Sequence, residues 1–198
     1  MFDSHFAFWH TVNPKERCFS TGSHFSAANF GRQLLSYLPD PAMPILFLCI
    51  GSDRLTGDSL GPLIGHRLSL CTLPDCIVFG TLAKPVHAEN LACTLDQIRQ
   101  EYPSHLVIAI DAALDKESTI GQIFLHNYPL FPGAGVQKSL PCAGQISITG
   151  VVAPLSSCSM TQLSEIHLSL VVQMADCIVE GVLLFLLMRL AKEHLTGF

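Results

Sequence analysis

The chain has 198 residues, of which 49% are hydrophobic and 14% are charged, and its formal net charge is -5 at pH 7. This composition excludes a disordered chain and fits one compact α/β domain with a substantial core. No cluster of lysine and arginine offsets the negative charge, which argues against nucleic-acid binding through phosphate neutralisation.

The N-terminal residues precede the first recognisable element. Residues 1–25 show no clear period and are predicted to form an arm ahead of a single domain over residues 26–198. Residues 2–9 are apolar, but Asp3 and His5 interrupt them and no basic stretch leads in, so they lack the pattern of a signal peptide. We therefore expect a cytoplasmic protein.

From residue 27 onward, helical and strand-like patterns alternate. The predicted elements are a helix at 27–38, a strand at 45–50, a helix at 59–71, a strand at 76–80, a helix at 87–100, a strand at 106–110, and later strands at 120–125 and 145–151. This alternation predicts an α/β fold with a mostly parallel sheet and helices on both of its faces.

The C-terminal region is the most apolar part of the chain. The very apolar run at 182–188 is far shorter than the ~20 residues that a membrane span needs. Just before it, polar side chains recur at helical spacing, at Ser169, Gln173, Asp176 and Glu180. This stripe predicts a long amphipathic helix packed on a sheet, with no membrane partner.

The eight cysteines are scattered and form no Cys-x-x-Cys pair, and the nine histidines do not cluster with them. This usage is typical of reduced intracellular thiols. It predicts neither a disulfide framework nor a structural zinc site.

Two of the apolar runs each lead to an acid. The run at 45–50 enters a glycine-rich turn that contains Asp58, and the run at 106–110 ends on Asp111. Continuous apolar runs are typical of buried parallel strands, and open α/β sheets form their sites outside the carboxyl ends of the strands. We therefore expect both acids to project toward the same edge of the sheet.

Two neighbouring carboxyl groups cannot both ionise easily, so one pKa rises and the pair can divide acid and base roles around a water molecule. The same pair could instead hold a divalent metal with a third ligand. Each acid also has a structural alternative. Asp58 could cap the following helix, and Asp111 could be a hydrogen-bonded turn acid.

Three further residues near this edge are candidates for substrate binding. His87 and Asn90 follow the strand at 76–80, and Asp53 lies in the loop that leads to Asp58. His87 could instead be a structural histidine at the start of a helix, and Asp53 could be a turn residue without a role in binding.

A nucleotide-binding loop of the Walker A type is excluded by the spacing of its glycines. Five residues separate Gly51 from Gly57 and an acid follows, whereas a Walker A loop needs four residues and a lysine.

Five segments, in the same order and spanning about residues 30 to 185, resemble the YyaC-like sporulation proteins of the DUF1256 family. They are Gly51-Ser-Asp-Arg-Leu-Thr-Gly-Asp-Ser-Leu-Gly-Pro62, Gly80-Thr-Leu-Ala-Lys-Pro-Val-His-Ala-Glu-Asn-Leu91, Ala109-Ile-Asp-Ala-Ala-Leu114, Pro132-Gly-Ala-Gly-Val-Gln-Lys138 and Met174-Ala-Asp-Cys-Ile-Val-Glu-Gly181. These proteins are similar in turn to the spore germination protease and, more distantly, to the hydrogenase maturation endopeptidases.

The resemblance implies a three-layer α/β/α sandwich of the phosphorylase/hydrolase type and a spore-forming bacterial source. In the germination protease, strand-end acids act as an aspartic-type catalytic pair, and by motif position these fall on Asp58 and Asp111. In the hydrogenase endopeptidases, the matching acids bind nickel with a histidine. Gln145–Val152 contains no histidine, so no metal or other cofactor is expected here.

We therefore expect a cytoplasmic peptidase of sporulating cells or spores, in which Asp58 and Asp111 activate water against a peptide bond. Small acid-soluble spore proteins are the expected substrates, and self-association into a homo-oligomer stays open. The alternative is a non-catalytic binding or regulatory protein that keeps the protease fold. A third interpretation, a small-molecule hydrolase, would need a closed pocket around the acids.

Overall fold

The structure is a computed structural model that describes residues 18–71, 76–132, 140–156 and 163–196. Most of the motif at 132–138 lies outside these residues, as do residues 1–17 of the predicted arm.

Within the described residues, strands and helices alternate as the sequence predicts, and the α/β class is confirmed. The elements are β1 (Cys18–Ser20), α1 (Ala27–Ser36), β2 (Ile45–Cys49), α2 (Leu60–Ser69), β3 (Cys76–Phe79), α3 (Leu91–Glu101), β4 (Leu106–Asp115), β5 (Gln122–His126), β6 (Ile146–Pro154) and α4 (Leu168–Thr196).

The six strands form one mixed sheet in the order β1-β5-β6-β4-β2-β3. Four neighbouring strands run parallel to one another, namely β6, β4, β2 and β3. Strands β5 and β1 close the other side with antiparallel pairing. The carboxyl ends of β2, β3 and β4 therefore meet at one edge, where the site is expected.

Strand β4 is longer than the sequence predicts. Its pairing with β2 stops at Ile110, but its pairing with β6 continues to Asp115, with a register shift between Ala113 and Leu114. The sequence predicts that Asp111 ends its strand, and the structure shows that it does not. It lies inside β4, one residue beyond the last pair with β2, because the longer partner β6 carries the strand onward.

Alternate residues of the central strands face two separate hydrophobic clusters. Phe47 and Ile108 face the cluster that holds buried side chains of α1, α2 and α4. Leu46 and Leu48 face the cluster that holds Leu91 and other buried side chains of α3. Each fully buried leucine or phenylalanine contributes about 1.5–3 kcal/mol, so both clusters hold the strand ends firmly in place.

The long helix α4 packs mainly against α1 and α2. It reaches the sheet where the side chain of Met174 lies against Gly150 of β6. The predicted polar stripe is exposed, and the buried side of the helix includes Val171, Ile178 and Val182. The segment Leu168–Lys192 is long and apolar enough to cross a membrane, and its most apolar 18 residues have a mean hydropathy of 2.1. Half of this window is buried inside the protein, and a single helix of this kind is weak evidence for a membrane span.

The described end of the predicted arm is part of the sheet. Strand β1 pairs with β5, with Phe19 opposite Ile123. The rings of Phe19 and Phe25 also pack edge-on or tilted against Phe30 of α1, at centroid distances of 5.2 and 5.6 Å. Edge pairing and aromatic packing thus order residues 18–25, although no hydrophobic period marks them in the sequence.

Candidate active site at the carboxyl end of the sheet

The loop that follows β2 is folded tightly back on itself. The amide of Gly51 donates to the carbonyl of Val86 (2.8 Å), and the amide of Ser52 donates to the main-chain carbonyl of Asp58 (3.0 Å). Gly51 has a φ of +139°, and a Cβ there would overlap that same Asp58 carbonyl. The backbone of Asp58 is therefore fixed over the end of β2 by main-chain contacts.

Asp58 is the last residue of the 3-10 helix Thr56–Asp58 and is partly buried. The N-cap position of α2 is occupied by Ser59, whose hydroxyl donates to the carbonyl of Thr56 (2.7 Å). The N-cap position of α2, which was the structural alternative for Asp58, is therefore occupied by Ser59.

Asp111 is a buried acid, with 9% of its surface exposed. One carboxylate oxygen accepts a hydrogen bond from the amide of Ala112 (2.8 Å). Burial raises the pKa of Asp111 well above its ordinary value, the charge of Asp58 raises it further, and the Ala112 amide lowers it. The structure thus brings the two acids close enough to interact electrostatically, and Asp111 keeps its proton to a higher pH than an ordinary aspartate.

His87 and Asn90 lie in the loop between β3 and α3, beside the same edge. The side-chain oxygen of Asn90 accepts from the amide of His87 (2.8 Å), and its side-chain nitrogen donates to the carbonyl of Pro85 (3.0 Å). His87 Nδ1 accepts from the amide of Glu89 (3.3 Å), which leaves the ring proton on Nε2 in the neutral form. Both ends of the Asn90 amide therefore hold the loop together.

We expect Asn90→Ala to lower the free energy of unfolding by about 1–3 kcal/mol, because it leaves the His87 amide and the Pro85 carbonyl without their partner. Denaturant unfolding measures this change. Gln97→Ala is the matched control, since the Gln97 side chain is exposed on α3 and bonds only to Glu101. An unchanged midpoint in Asn90→Ala would contradict the structural role of this side chain.

Asp53 is exposed in a turn of the loop before Asp58. The hydroxyl of Ser52 accepts from the amide of Arg54 and shapes this turn (3.2 Å). Asp53 is not among the groups that shift the pKa of Asp111. Its position fits the turn residue that was the alternative to substrate binding.

Three residues beyond Asp111 were not singled out from the sequence: Thr149 on β6, His126 on β5 and Tyr128, two residues after β5. Thr149 of β6 is the register partner of Asp111, and His126 Nε2 lies 3.1 Å from the Thr149 hydroxyl. The hydroxyl of Tyr128 lies 2.8 Å from His126 Nδ1. Alternation in the sequence indicates both strands, but it does not give the register that brings these side chains to Asp111.

Metal binding by the acid pair needs a third ligand. Across the described ranges, no three histidine, cysteine, aspartate or glutamate side chains are grouped so that they could hold a metal ion. The nickel site of the hydrogenase endopeptidases therefore does not fit the residues that the structure describes.

Two surface cavities lie away from the acids. One of about 310 Å³ lies between β3 and α3, and one of about 540 Å³ lies between β1 and α1. Asp58 and Asp111 line neither of them.

Comparison with known proteins gives one family and one curated relative. The family described as "Protein of unknown function (DUF1256)" matches residues 21–181, a range that contains every candidate site residue named above. The "Uncharacterized protein YyaC" of Bacillus subtilis (strain 168) is 42% identical over 138 residues, which cover 70% of this chain and 67% of that protein.

Proposed function

The chain belongs to the DUF1256 family, and on that premise we propose that it is a sporulation-associated peptidase that uses Asp58 and Asp111 to activate water on a peptide bond. The observation that carries the proposal is the pairing of a buried acid of raised pKa with a second, partly exposed acid at the carboxyl edge of the sheet. Environments that separate two carboxyl groups in this way are typical of acid and base partners in catalysis.

In the proposed mechanism, Asp111 holds a proton and Asp58 is the charged partner. The Asp58 carboxylate takes a proton from a water molecule while the water oxygen attacks the carbonyl carbon of the substrate. The Asp111 proton moves to the carbonyl oxygen, which gives a neutral tetrahedral intermediate. When the C–N bond breaks, the leaving nitrogen takes the proton from Asp58, and the new carboxyl group returns one to Asp111.

The finer fold assignment is part of the same proposal. A three-layer α/β/α sandwich of the phosphorylase/hydrolase type is supported by the two hydrophobic clusters, one with α1, α2 and α4 and the other with α3. We assign the substrate to extended protein segments, with small acid-soluble spore proteins as the candidates, in the cytoplasm of the sporulating cell or spore.

The test is cleavage of small acid-soluble spore proteins by the purified full chain across a range of pH, followed by mass spectrometry. We expect defined fragments from the wild type and none from the Asp58→Asn/Asp111→Asn double variant prepared identically. Asp96→Asn is the control, since it removes the same kind of charge from an exposed pair with Arg99 on α3. No cleavage by the wild type at any pH, or equal cleavage by the double variant, would favour the non-catalytic binding protein.

A further inference from the structure

A hydrogen-bonded chain of three side chains ends beside Asp111. The Tyr128 hydroxyl contacts His126 Nδ1 (2.8 Å), and His126 Nε2 contacts the Thr149 hydroxyl (3.1 Å). Thr149 and Asp111 are register partners on the parallel strands β6 and β4. Paired strands lie about 4.8 Å apart and their partner side chains point to the same face, so the side chains of Thr149 and Asp111 are neighbours on one face of the sheet.

The middle of this chain is held in one orientation. His126 is only 7% exposed, and its ring stacks on Phe124 with an interplanar angle of 4° and a centroid distance of 6.2 Å. The hydroxyl of Ser147 donates to the carbonyl of Tyr128 (3.0 Å) and ties that residue to β6. The imidazole therefore holds Nδ1 toward Tyr128 and Nε2 toward Thr149.

The chain can run in two directions, depending on which ring nitrogen of His126 carries the proton. A neutral imidazole carries a proton on one nitrogen, and the other nitrogen accepts. A tyrosine hydroxyl that donates to Nδ1 leaves the proton on Nε2, which then donates to the Thr149 oxygen. The Thr149 hydroxyl must in turn direct its own proton away from His126, and hydrogen bonds aligned in this way strengthen one another.

We propose that Tyr128 and His126 are positioning residues that orient the Thr149 hydroxyl to donate to the carboxylate of Asp111 once Asp111 has given up its proton. This inference rests on the proposed peptidase function. Its role in that reaction is to stabilise the charge that Asp111 acquires when its proton moves to the substrate. A donor placed beforehand beside a developing charge lowers the barrier without reorganisation of the site.

The titration of Asp111 can report on Thr149 because, among the residues that the structure describes, few ionisable groups lie on the elements around Asp111. Asp58 is the charged group across the site. Strand β6 (Ile146–Pro154) carries no ionisable side chain, and β2 carries only Cys49, which is buried in the opposite cluster with Phe47. Asp53, on the loop after β2, is exposed. His126, on β5, acts through Thr149.

The experiment is a pH titration of the full chain labelled with carboxyl-¹³C aspartate, in which NMR follows the Asp111 carboxyl. We expect Thr149→Val, which keeps the shape but removes the hydroxyl, to raise the pKa of Asp111 by about one unit. Thr149→Ser is expected to restore the wild-type titration. Thr119→Val is the matched control, because it makes the same change at a hydroxyl that bonds to Asp115, four residues along β4 from Asp111.

Tyr128→Phe is a milder variant that removes only the phenolic hydroxyl and keeps the ring. We expect it to raise the pKa of Asp111 by a smaller amount in the same direction, and it carries the test if Thr149→Val does not fold. Unchanged Asp111 titration in these variants, or an equal shift in Thr119→Val, overturns the inference.

Kinetics separate this inference from the proposed function. In the cleavage assay, we expect Thr149→Val to lower kcat by about tenfold and to leave KM unchanged, as for an interaction made only in the transition state. If the wild type cleaves nothing but the titration shifts, the peptidase proposal fails and the chain to Asp111 stands. If the wild type cleaves and neither the titration nor kcat changes, the inference fails and the peptidase proposal stands.

Discussion

Replacing Asp111 with asparagine is expected to stabilise the folded protein at neutral pH and to lower the rate of the proposed peptide cleavage by about 10²–10⁴-fold. The two effects have one cause. Asp111 is buried beside Asp58, so its ionised form is unfavourable in the folded state. Asparagine keeps the shape and can still accept from the Ala112 amide, but it carries neither the charge nor the proton that the reaction uses.

The sign of the pH dependence follows from the raised pKa. In the unfolded chain Asp111 loses its proton near the ordinary aspartate pKa of about 3.8, whereas in the folded protein it keeps the proton to a higher pH. Below that value both states are protonated and the variant and wild type have similar stability. As pH rises toward the folded pKa, the wild type loses stability relative to Asp111→Asn, and above it the difference stays constant.

The expected gain at neutral pH is at least about 1 kcal/mol, since each pKa unit corresponds to about 1.4 kcal/mol. Denaturant unfolding at several pH values measures it. Asp58→Asn removes the neighbouring charge and should therefore lower the pKa of Asp111 in the folded protein. In that variant, the loss of stability with rising pH should end at a lower pH than in the wild type. Asp53→Asn removes an exposed charge from the same loop and should leave that pH unchanged. A stability difference between Asp111→Asn and wild type that does not grow with pH would contradict this account.

The sequence predicts the position of the acid pair because the relevant signals are local. The apolar runs before Asp58 and Asp111 mark two central strands, and parallel strands must end at a common edge. The glycine-rich turn after β2 is also visible in the sequence, because only glycine tolerates the φ of +139° at residue 51.

The features that the sequence does not predict depend on long-range pairing. Strand β4 continues past Asp111 because β6 is long enough to pair with it as far as Asp115. Thr149 faces Asp111 because of one register out of several that the alternation of β6 would permit. The role of Asn90 depends on carbonyl and amide groups of the surrounding loop, which residue type and spacing do not reveal.

The geometry of the site also depends on a close contact between two backbones, and Gly80→Ala is expected to disrupt it. Gly80 follows β3 and has a φ of +83°, and a Cβ there would overlap the carbonyl group of Cys49, the last residue of β2. The left-handed conformation and the overlap together should cost about 2–5 kcal/mol. Neither backbone can relax without moving the end of β2, from which the loop to Asp58 begins.

Gly121→Ala separates the two causes. Gly121 has nearly the same φ, +81°, but a Cβ there would meet only side-chain atoms of Thr21 at 3.5 Å and Leu170 at 3.7 Å. It should therefore cost only the conformational strain of about 1–2 kcal/mol. Denaturant unfolding of both variants gives the difference, provided that their m values match that of the wild type. Equal losses would mean that β2 and β3 can separate freely at their carboxyl ends. A larger loss in Gly80→Ala would mean that the packing of Gly80 on Cys49 holds together the strand ends beside the acid pair.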